Sequence, residues 1–156
     1  MSQKVFTVDE IKKKLEYYCA YQDRCHQEVE KKLREFHLIA EARELILLHL
    51  MQHNFLNEER FSKSFARGKF RIKQWGRRRI VQELKMRNIS AYNIKTGLKE
   101  IEEDEYIAML HKVASSKNNS IKESNLFKRK QKLYQYLYGR GYESNLIQDV
   151  TKEIFT

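Results

Sequence analysis

The stretch of this sequence most in need of a chemical explanation is Phe61–Gln82. There Lys63, Arg67, Lys69, Arg71, Lys73, Arg77, Arg78 and Arg79 follow one another without a carboxylate among them. Like charges held within a short span repel and lower stability unless a counter-charge arrives. Guanidinium groups offer forked hydrogen bonds to phosphate or carboxylate, and ammonium groups act as point charges. The expected chemistry is recognition of an anion, either nucleic acid or an acidic protein face. Phe70 and Trp75 lie within the run and could stack on bases, although both read better as core. A second basic cluster, Lys128, Arg129, Lys130, Lys132 and Arg140, is interleaved with Phe127, Tyr134, Tyr136, Tyr138 and Tyr142. For each of these tyrosines packing is the better reading, with the ring buried and the hydroxyl wet.

Other candidate chemistry is weaker. His49 and His53 are spaced i, i+4 and share a helix face, but no third ligand stands near them at a recognisable spacing, so no metal site is expected. Glu102, Glu103, Asp104 and Glu105 fall where a helix should begin, and compensation of the helix dipole explains them more simply than chelation. Cys19 and Cys25 are too poorly spaced for a disulfide framework or a zinc knuckle and read as reduced thiols. No phosphate-cradling glycine loop, nucleophile elbow or paired-histidine protease motif is present. The sequence reads as a binding protein without catalytic residues or cofactor.

The elements that must carry these residues are helices. There is no proline and there are only five glycines in 156 residues. Thr7-Val8-Asp9-Glu10 reads as a capping box. Apolar residues then recur at helical spacing: Ile11, Leu15, Tyr18 and Cys19; Val29, Leu33 and Phe36; Ala42, Leu45, Ile46, Leu50 and Met51. Asn57 before Glu58 and Glu59 opens the next helix, with Phe61 and Phe65 on its stripe. Trp75-Gly76 breaks it. Ile80 and Leu84 follow, then Ser90 caps a helix bearing Ile94, Leu98 and Ile101. Tyr106, Leu110 and Val113 begin a third set. Ser115–Asn125 reads as a loop or a frayed end. Leu133 and Leu137 come next, Gly139-Arg140-Gly141 supplies a stop, and Leu146, Val150 and Ile154 finish the chain.

Stacking the middle helices exposes a repeat. Val29, Leu33 and Leu38 align with Ile80, Leu84 and Ile89, and both with Leu133, Leu137 and Tyr142; the leucine anchors lie 51 and 53 residues apart. The expected architecture is all-α: three tandem three-helix repeats over 8–56, 57–102 and 103–154, stacked on a continuous core in an elongated array. Charge is unevenly spread along it. Residues 1–60 hold 10 Lys/Arg and 11 Asp/Glu, whereas residues 61–140 hold 20 and 7. No apolar run approaches the ~20 residues that span a bilayer. Met1-Ser2-Gln3-Lys4-Val5 lacks the apolar core of a secretory signal, so a cytoplasmic address is expected.

At the repeat anchors a family resemblance emerges. Leu15-Glu16-Tyr17-Tyr18-Cys19, Asp23-Arg24 and Glu28–Leu33 resemble the first repeat of RecX regulatory proteins. Leu56–Phe65 resembles that family's acidic-Arg-Phe signature, and Gly76–Leu84 its Gly-basic-Ile-x-x-Glu-Leu helix. Arg129–Leu133 with Gly139–Tyr142 is similar to its third-repeat pattern. Ser62 departs from the usual Ala, and His37 and Asn88 stand where a turn glycine is common. The resemblance implies a curved array that modulates, mostly inhibits, the RecA recombinase. Such a monomer would act on RecA nucleoprotein filaments, their ATPase, extension and strand exchange, in DNA repair and the SOS response, with direct DNA contact in some members. The expected contact residues are Arg67, Lys69, Arg71, Lys73, Arg77, Arg78, Arg79, Lys85, Arg87, Lys128, Arg129, Lys130 and Arg140. Replacing Arg77, Arg78 and Arg79 together should leave the fold intact. The competing reading is a sequence-independent DNA-binding protein that acts without RecA, since three-helix units also resemble helix-turn-helix modules.

Overall fold

Single side chains set four of the nine helix starts. In the computed structural model, which describes residues 5–156, Thr7 Oγ1 accepts the Glu10 amide while the Glu10 carboxylate accepts the Thr7 amide, which completes the capping box of α1 (Val8–Tyr21). Residues 1–4, where the signal reading largely rests, lie outside the described residues. Asn57 caps α4 (Glu58–Arg71), Ser90 caps α6 (Ala91–Leu98) and Asn125 caps α8 (Leu126–Gly139), each side chain accepting the amide three residues on. The remaining helices are α2 (His26–Arg34), α3 (Ala40–Gln52), α5 (Arg77–Met86), α7 (Glu103–Ser120) and α9 (Ser144–Ile154). Among the described residues the regular structure is these nine helices, in three consecutive trios.

Two sequence expectations change. Ser115–Asn125 is not a loop throughout: α7 continues to Ser120, anchored by buried Val113 and Ala114, and only residues 121–125 are irregular. Nothing in Ser115–Ser120 breaks a helix, and polar residues suit an exposed last turn. Leu45 and Met51, read as part of an inward stripe, are 65% and 47% exposed. α3 is apolar nearly all round, so periodicity could not choose the buried face, and Ile46 and Leu50 take it.

The expected continuous core divides after the first trio. Ile11, Leu15, Cys19, Val29, Leu33, Ile46, Leu50 and Leu56 form one cluster. A larger cluster runs unbroken from Phe61 to Val150 through the second and third trios, and from the first trio it takes in Cys25. The molecule exposes 10289 Å². A compact monomer of this mass would expose roughly 8,300 Å², so the array is extended.

The repeat is also written in backbone conformation. His37, Asn88 and Gly141, spaced like the leucine anchors, all have positive φ, at 53°, 59° and 101°. Each closes the middle helix of its trio, and in the second and third the next amide returns to the leucine anchor: Ile89 to Leu84 at 3.1 Å and Tyr142 to Leu137 at 3.2 Å. Ser62, in place of alanine, is fully buried, and its hydroxyl donates to the Glu58 carbonyl at 2.7 Å, so burial leaves no polar atom unmet.

Candidate anion-binding surface

The second and third trios are welded where α5 begins and α8 ends. The Gly76 amide donates to the Arg140 carbonyl at 2.8 Å and the Arg78 amide to the Gly141 carbonyl at 2.9 Å, so the positive end of one helix meets the negative end of another. The two glycines permit this approach. A Cβ on Gly76 would overlap the backbone of Gly141 and Tyr142, and one on Gly141 would lie 2.5 Å from Arg79 Cβ. Tyr142 Oη donates to the Gln74 carbonyl at 2.9 Å, and Arg140 donates to the Lys73 carbonyl.

Arg77 belongs to this weld. Its amide donates to Tyr106 Oη at 3.0 Å, its guanidinium lies 3.7 Å from the Tyr106 ring centre, and it pairs with Glu143 at 2.8 Å and with Glu103. Tyr106 Oη in turn donates to Glu143. Burial pulls the guanidinium pKa down, but the two carboxylates more than reverse that and hold it above its usual value. Burial, reinforced by the acceptor on Glu143, pushes the Tyr106 phenol well up.

The structure sorts the expected contact residues into those that are paired with carboxylates and those that are not. Arg67 pairs with Glu100, Arg71 with Glu105 at 3.2 Å, and Arg77 as described; Lys63 pairs with Glu59 at 3.3 Å. Arg87 pairs with Glu83 at 2.9 Å. Arg129 donates to Asn118 and to the carbonyls of Ile121 and Glu123, which fastens the 121–125 loop to α8. Arg140 is spent on the Lys73 carbonyl. Arg67, Arg71, Arg77 and Arg87 are thus paired with carboxylates, whereas Arg129 and Arg140 hold neutral oxygens and keep their charge. The run only looked uncompensated because the carboxylates that pair with it, Glu100 after α6, Glu103 and Glu105 on α7 and Glu143 before α9, lie 26 to 66 residues away in sequence.

Lys69, Lys73, Arg78, Arg79, Lys85, Lys128 and Lys130 have no carboxylate within ion-pair distance among the described residues. Several lie on aromatic faces instead. Lys69 Nζ is 5.4 Å from the Phe65 ring centre and 5.1 Å from that of Trp75, and Arg79 is 4.2 Å from Trp75. Arg78 lies 3.8 Å from the Tyr138 ring, and Arg87, though paired with Glu83, also covers Phe65 at 4.9 Å. A ring holds a cation in place without neutralising it, so the positive field of this face remains. Phe70 is core, at 1% exposure, while Trp75 is half-buried and acts as a platform for two cations. No charge pattern in the sequence marks Trp75 for that role.

The histidine pair is accounted for locally: the rings of His49 and His53 lie 4.4 Å apart and His49 Nε2 meets Glu16 at 3.0 Å.

Comparison with known proteins yields a consistent set of likenesses. The family model for the second three-helix domain of RecX matches residues 57–98, and that for the third three-helix domain matches residues 103–151. Relatives named Regulatory protein RecX include those of Clostridium acetobutylicum, 31% identical over 137 residues (85% of this chain, 63% of that protein), and of Salmonella heidelberg, 30% identical over 141 residues (84% and 83%). The Lactobacillus gasseri relative is 26% identical over 88% of this chain, which spans about half (51%) of that protein's length. A crystal structure of RecX from Lactobacillus salivarius superposes with a TM-score of 0.82 over 94% of this chain and 95% of that one, at 19% identity. A second RecX crystal structure gives 0.80 over 97% and 81%, at 20% identity. At those identities the structures speak for the shared fold.

Proposed function

This chain belongs to the RecX family of regulatory proteins, and on that premise we propose that it regulates by binding RecA nucleoprotein filaments and restraining their ATPase, extension and strand exchange. We place the contact on the second and third three-helix units, with repeat limits of 57–102 and 103–154 and a first unit of 8–56. The observation that carries this reading is the set of cations left without carboxylates: Lys69, Lys73, Arg78, Arg79 and Lys85, with Lys128 and Lys130. A filament of protein and nucleic acid offers acidic side chains and phosphates together, and a cationic face suits both. The protein acts in this reading as a monomer in the cytoplasm, and no described helix is long and apolar enough to cross a membrane.

The test is RecA-dependent ATP hydrolysis on single-stranded DNA, titrated with the protein. The wild type should lower the rate, and a variant combining Lys73→Ala, Arg78→Ala and Arg79→Ala should need on the order of tenfold more protein, from the loss of exposed charge contacts. Hydrolysis indifferent to the wild type, or to the substitutions, rejects the assignment. Binding to bare DNA with no effect on RecA would select the RecA-independent reading instead.

A further inference from the structure

The three trios follow one plan, so the third helix of each can be compared position by position. By the repeat spacing, Ile46 of α3 corresponds to Gly97 of α6 and to Val150 of α9, and all three are buried. The water-facing positions differ. Leu45 and Leu48 are exposed on α3, where α6 has Thr96 and Lys99 and α9 has Asp149 and Lys152. Met51 is exposed three residues further along the same face. α3 thus turns to water an apolar stripe at the positions its two counterparts make polar. In a repeat array, a unit's apolar outer face is one that another unit covers. Glu41 and Glu44 flank the stripe, with no cation in ion-pair distance among the described residues.

A second apolar patch stands on the third trio. Leu126 and Phe127, 54% and 75% exposed, open α8 in a turn that Arg129 fastens to Asn118 and to carbonyls of the preceding loop. This turn is an addition to the repeat plan. α8 starts seven residues ahead of Leu133, whereas α2 and α5 start three ahead of Val29 and Ile80. Phe127 also walls a groove of about 440 Å³ between α8 and α9, with Lys130 and Lys152 in its lining and no carboxylate. The stems of such lysines cover apolar surface while their ammonium groups stay in water.

The two patches are alike in apolar character and opposite in charge. We propose that α3 of one copy of this chain lies in the α8–α9 groove of a second copy, with Leu45 and Leu48 against Phe127 and with Glu41 and Glu44 facing Lys130 and Lys152. A helix laid by its apolar face into a groove is a general mode of recognition. Pairing of α3 with its own copy fits less well. In parallel the glutamates would oppose one another, and antiparallel they would meet the Met51 end, where His49 is already engaged by Glu16. Nucleic acid is repelled from α3 by the same glutamates. Because the contact joins two different surfaces, every pair keeps one of each unused, so copies string together head to tail. A helix face in a groove of this size buries on the order of 1,000 Å², the range of weak and transient contacts. Dilute chains therefore stay monomeric and join when crowded.

The test is sedimentation equilibrium of the whole chain, freed of nucleic acid and without RecA, from about 5 to about 500 µM, which spans weak association. The mass of the wild type should rise with concentration beyond twice the 18.9 kDa of one chain. Leu45→Glu with Leu48→Glu spoils one surface and Phe127→Glu spoils the other; all three side chains are exposed, so the fold is kept. Each variant alone should stay at the mass of one chain. Mixed in equal amounts, the two should approach twice that mass and not pass it, since each supplies the surface the other lacks. Glu41→Gln with Glu44→Gln should weaken association about fivefold, from the loss of two exposed ion pairs. A wild type of constant mass, or a mixture that stays monomeric, overturns the proposal. Association that survives in the Phe127→Glu variant would mean that α3 pairs with its own copy, and the proposal again fails. None of these outcomes bears on the filament reading, which the RecA assay tests separately.

Discussion

Replacing Gly76 with alanine tests the weld between α5 and α8 most directly, because the sign of the effect is opposite to that at another glycine. Gly76 has φ −77° and ψ 167°, which alanine adopts freely, so no backbone strain enters. The added Cβ collides with the Gly141 carbonyl and the Tyr142 amide, which are backbone and cannot rotate aside. The helix ends must therefore part by roughly 1 Å to reach ordinary contact, which carries hydrogen bonds of 2.8 and 2.9 Å beyond useful length. Each buried group left unmet costs about 1–3 kcal/mol, and overpacking elsewhere is of similar size. A net loss of about 3 kcal/mol is expected; with a urea slope of about 2 kcal/mol per molar, the midpoint should fall by roughly 1.5 M. Trp75, the chain's single tryptophan, adjoins the weld and reports the transition by fluorescence. Gly68→Ala is the control: it lies within α4 with nothing inside 4 Å of its Cβ, so it should stabilise by about 0.5–1 kcal/mol. Reduced freedom of the unfolded chain would stabilise both variants. A Gly76→Ala midpoint at or above wild type would refute the close approach of the two helices.

Two further outcomes follow from the same geometry. Arg77→Ala should destabilise by about 3 kcal/mol, since it strips Glu143 and Tyr106 of their partner in a half-buried cluster, whereas Arg78→Ala with Arg79→Ala should stay within about 1 kcal/mol; urea midpoints of the two variants decide it, and equal midpoints would contradict the sorting of these neighbours into fold and surface. Burial pushes the Cys19 and Cys25 thiols from 9.0 up to about 11, so both should react slowly with a disulfide reagent at pH 8 in the folded protein and fast in denaturant. Because the folded-state pKa values are the higher ones, their stabilising effect is complete below pH 9 and lost as pH rises from 9 to about 11, so the urea midpoint should fall across that window and fall less in a Cys19→Ala, Cys25→Ala variant.

The fold was legible in the sequence because its determinants are local or periodic. Thr7, Asn57 and Ser90 cap helices through atoms three residues away, and Val29, Ile80 and Leu133 recur at an interval set by the stacking of identical units. The left-handed residues His37 and Asn88 could be found by alignment with Gly141, since the repeat imposes the same closing turn on each middle helix. The binding face was legible only in outline. Arg67 meets Glu100 within its own trio and Arg77 meets Glu143 of the next, at separations without a local signal, so a run that looks bare in sequence is half neutralised in space. Of its eight cations, Lys63 alone had a readable partner, Glu59 at i−4. Likewise α3, with leucines on every side, gave no periodic cue to which of them face water.

The same repeat plan produces one closed seam and one open one, and the difference rests on two positions. Counting by the repeat, Cys25 stands where Gly76 does and Asn88 where Gly141 does. The row of middle helices thus continues from α8 and α5 to α2, with the end of α5 facing the start of α2. Side chains at Cys25 and Asn88 forbid the backbone contact that the glycines allow. In its place Gln27 Nε2 reaches the Met86 carbonyl at 3.2 Å and Glu58 accepts the His26 amide at 3.1 Å. A groove of about 840 Å³ remains between α2 and α5. The core divides at the same place, after the first trio. The two trios fused into one body are therefore those that carry the unpaired cations. Recognition by charge loses affinity to every degree of freedom that binding must freeze. A weld between the two halves of the cationic face removes their relative motion before any ligand arrives.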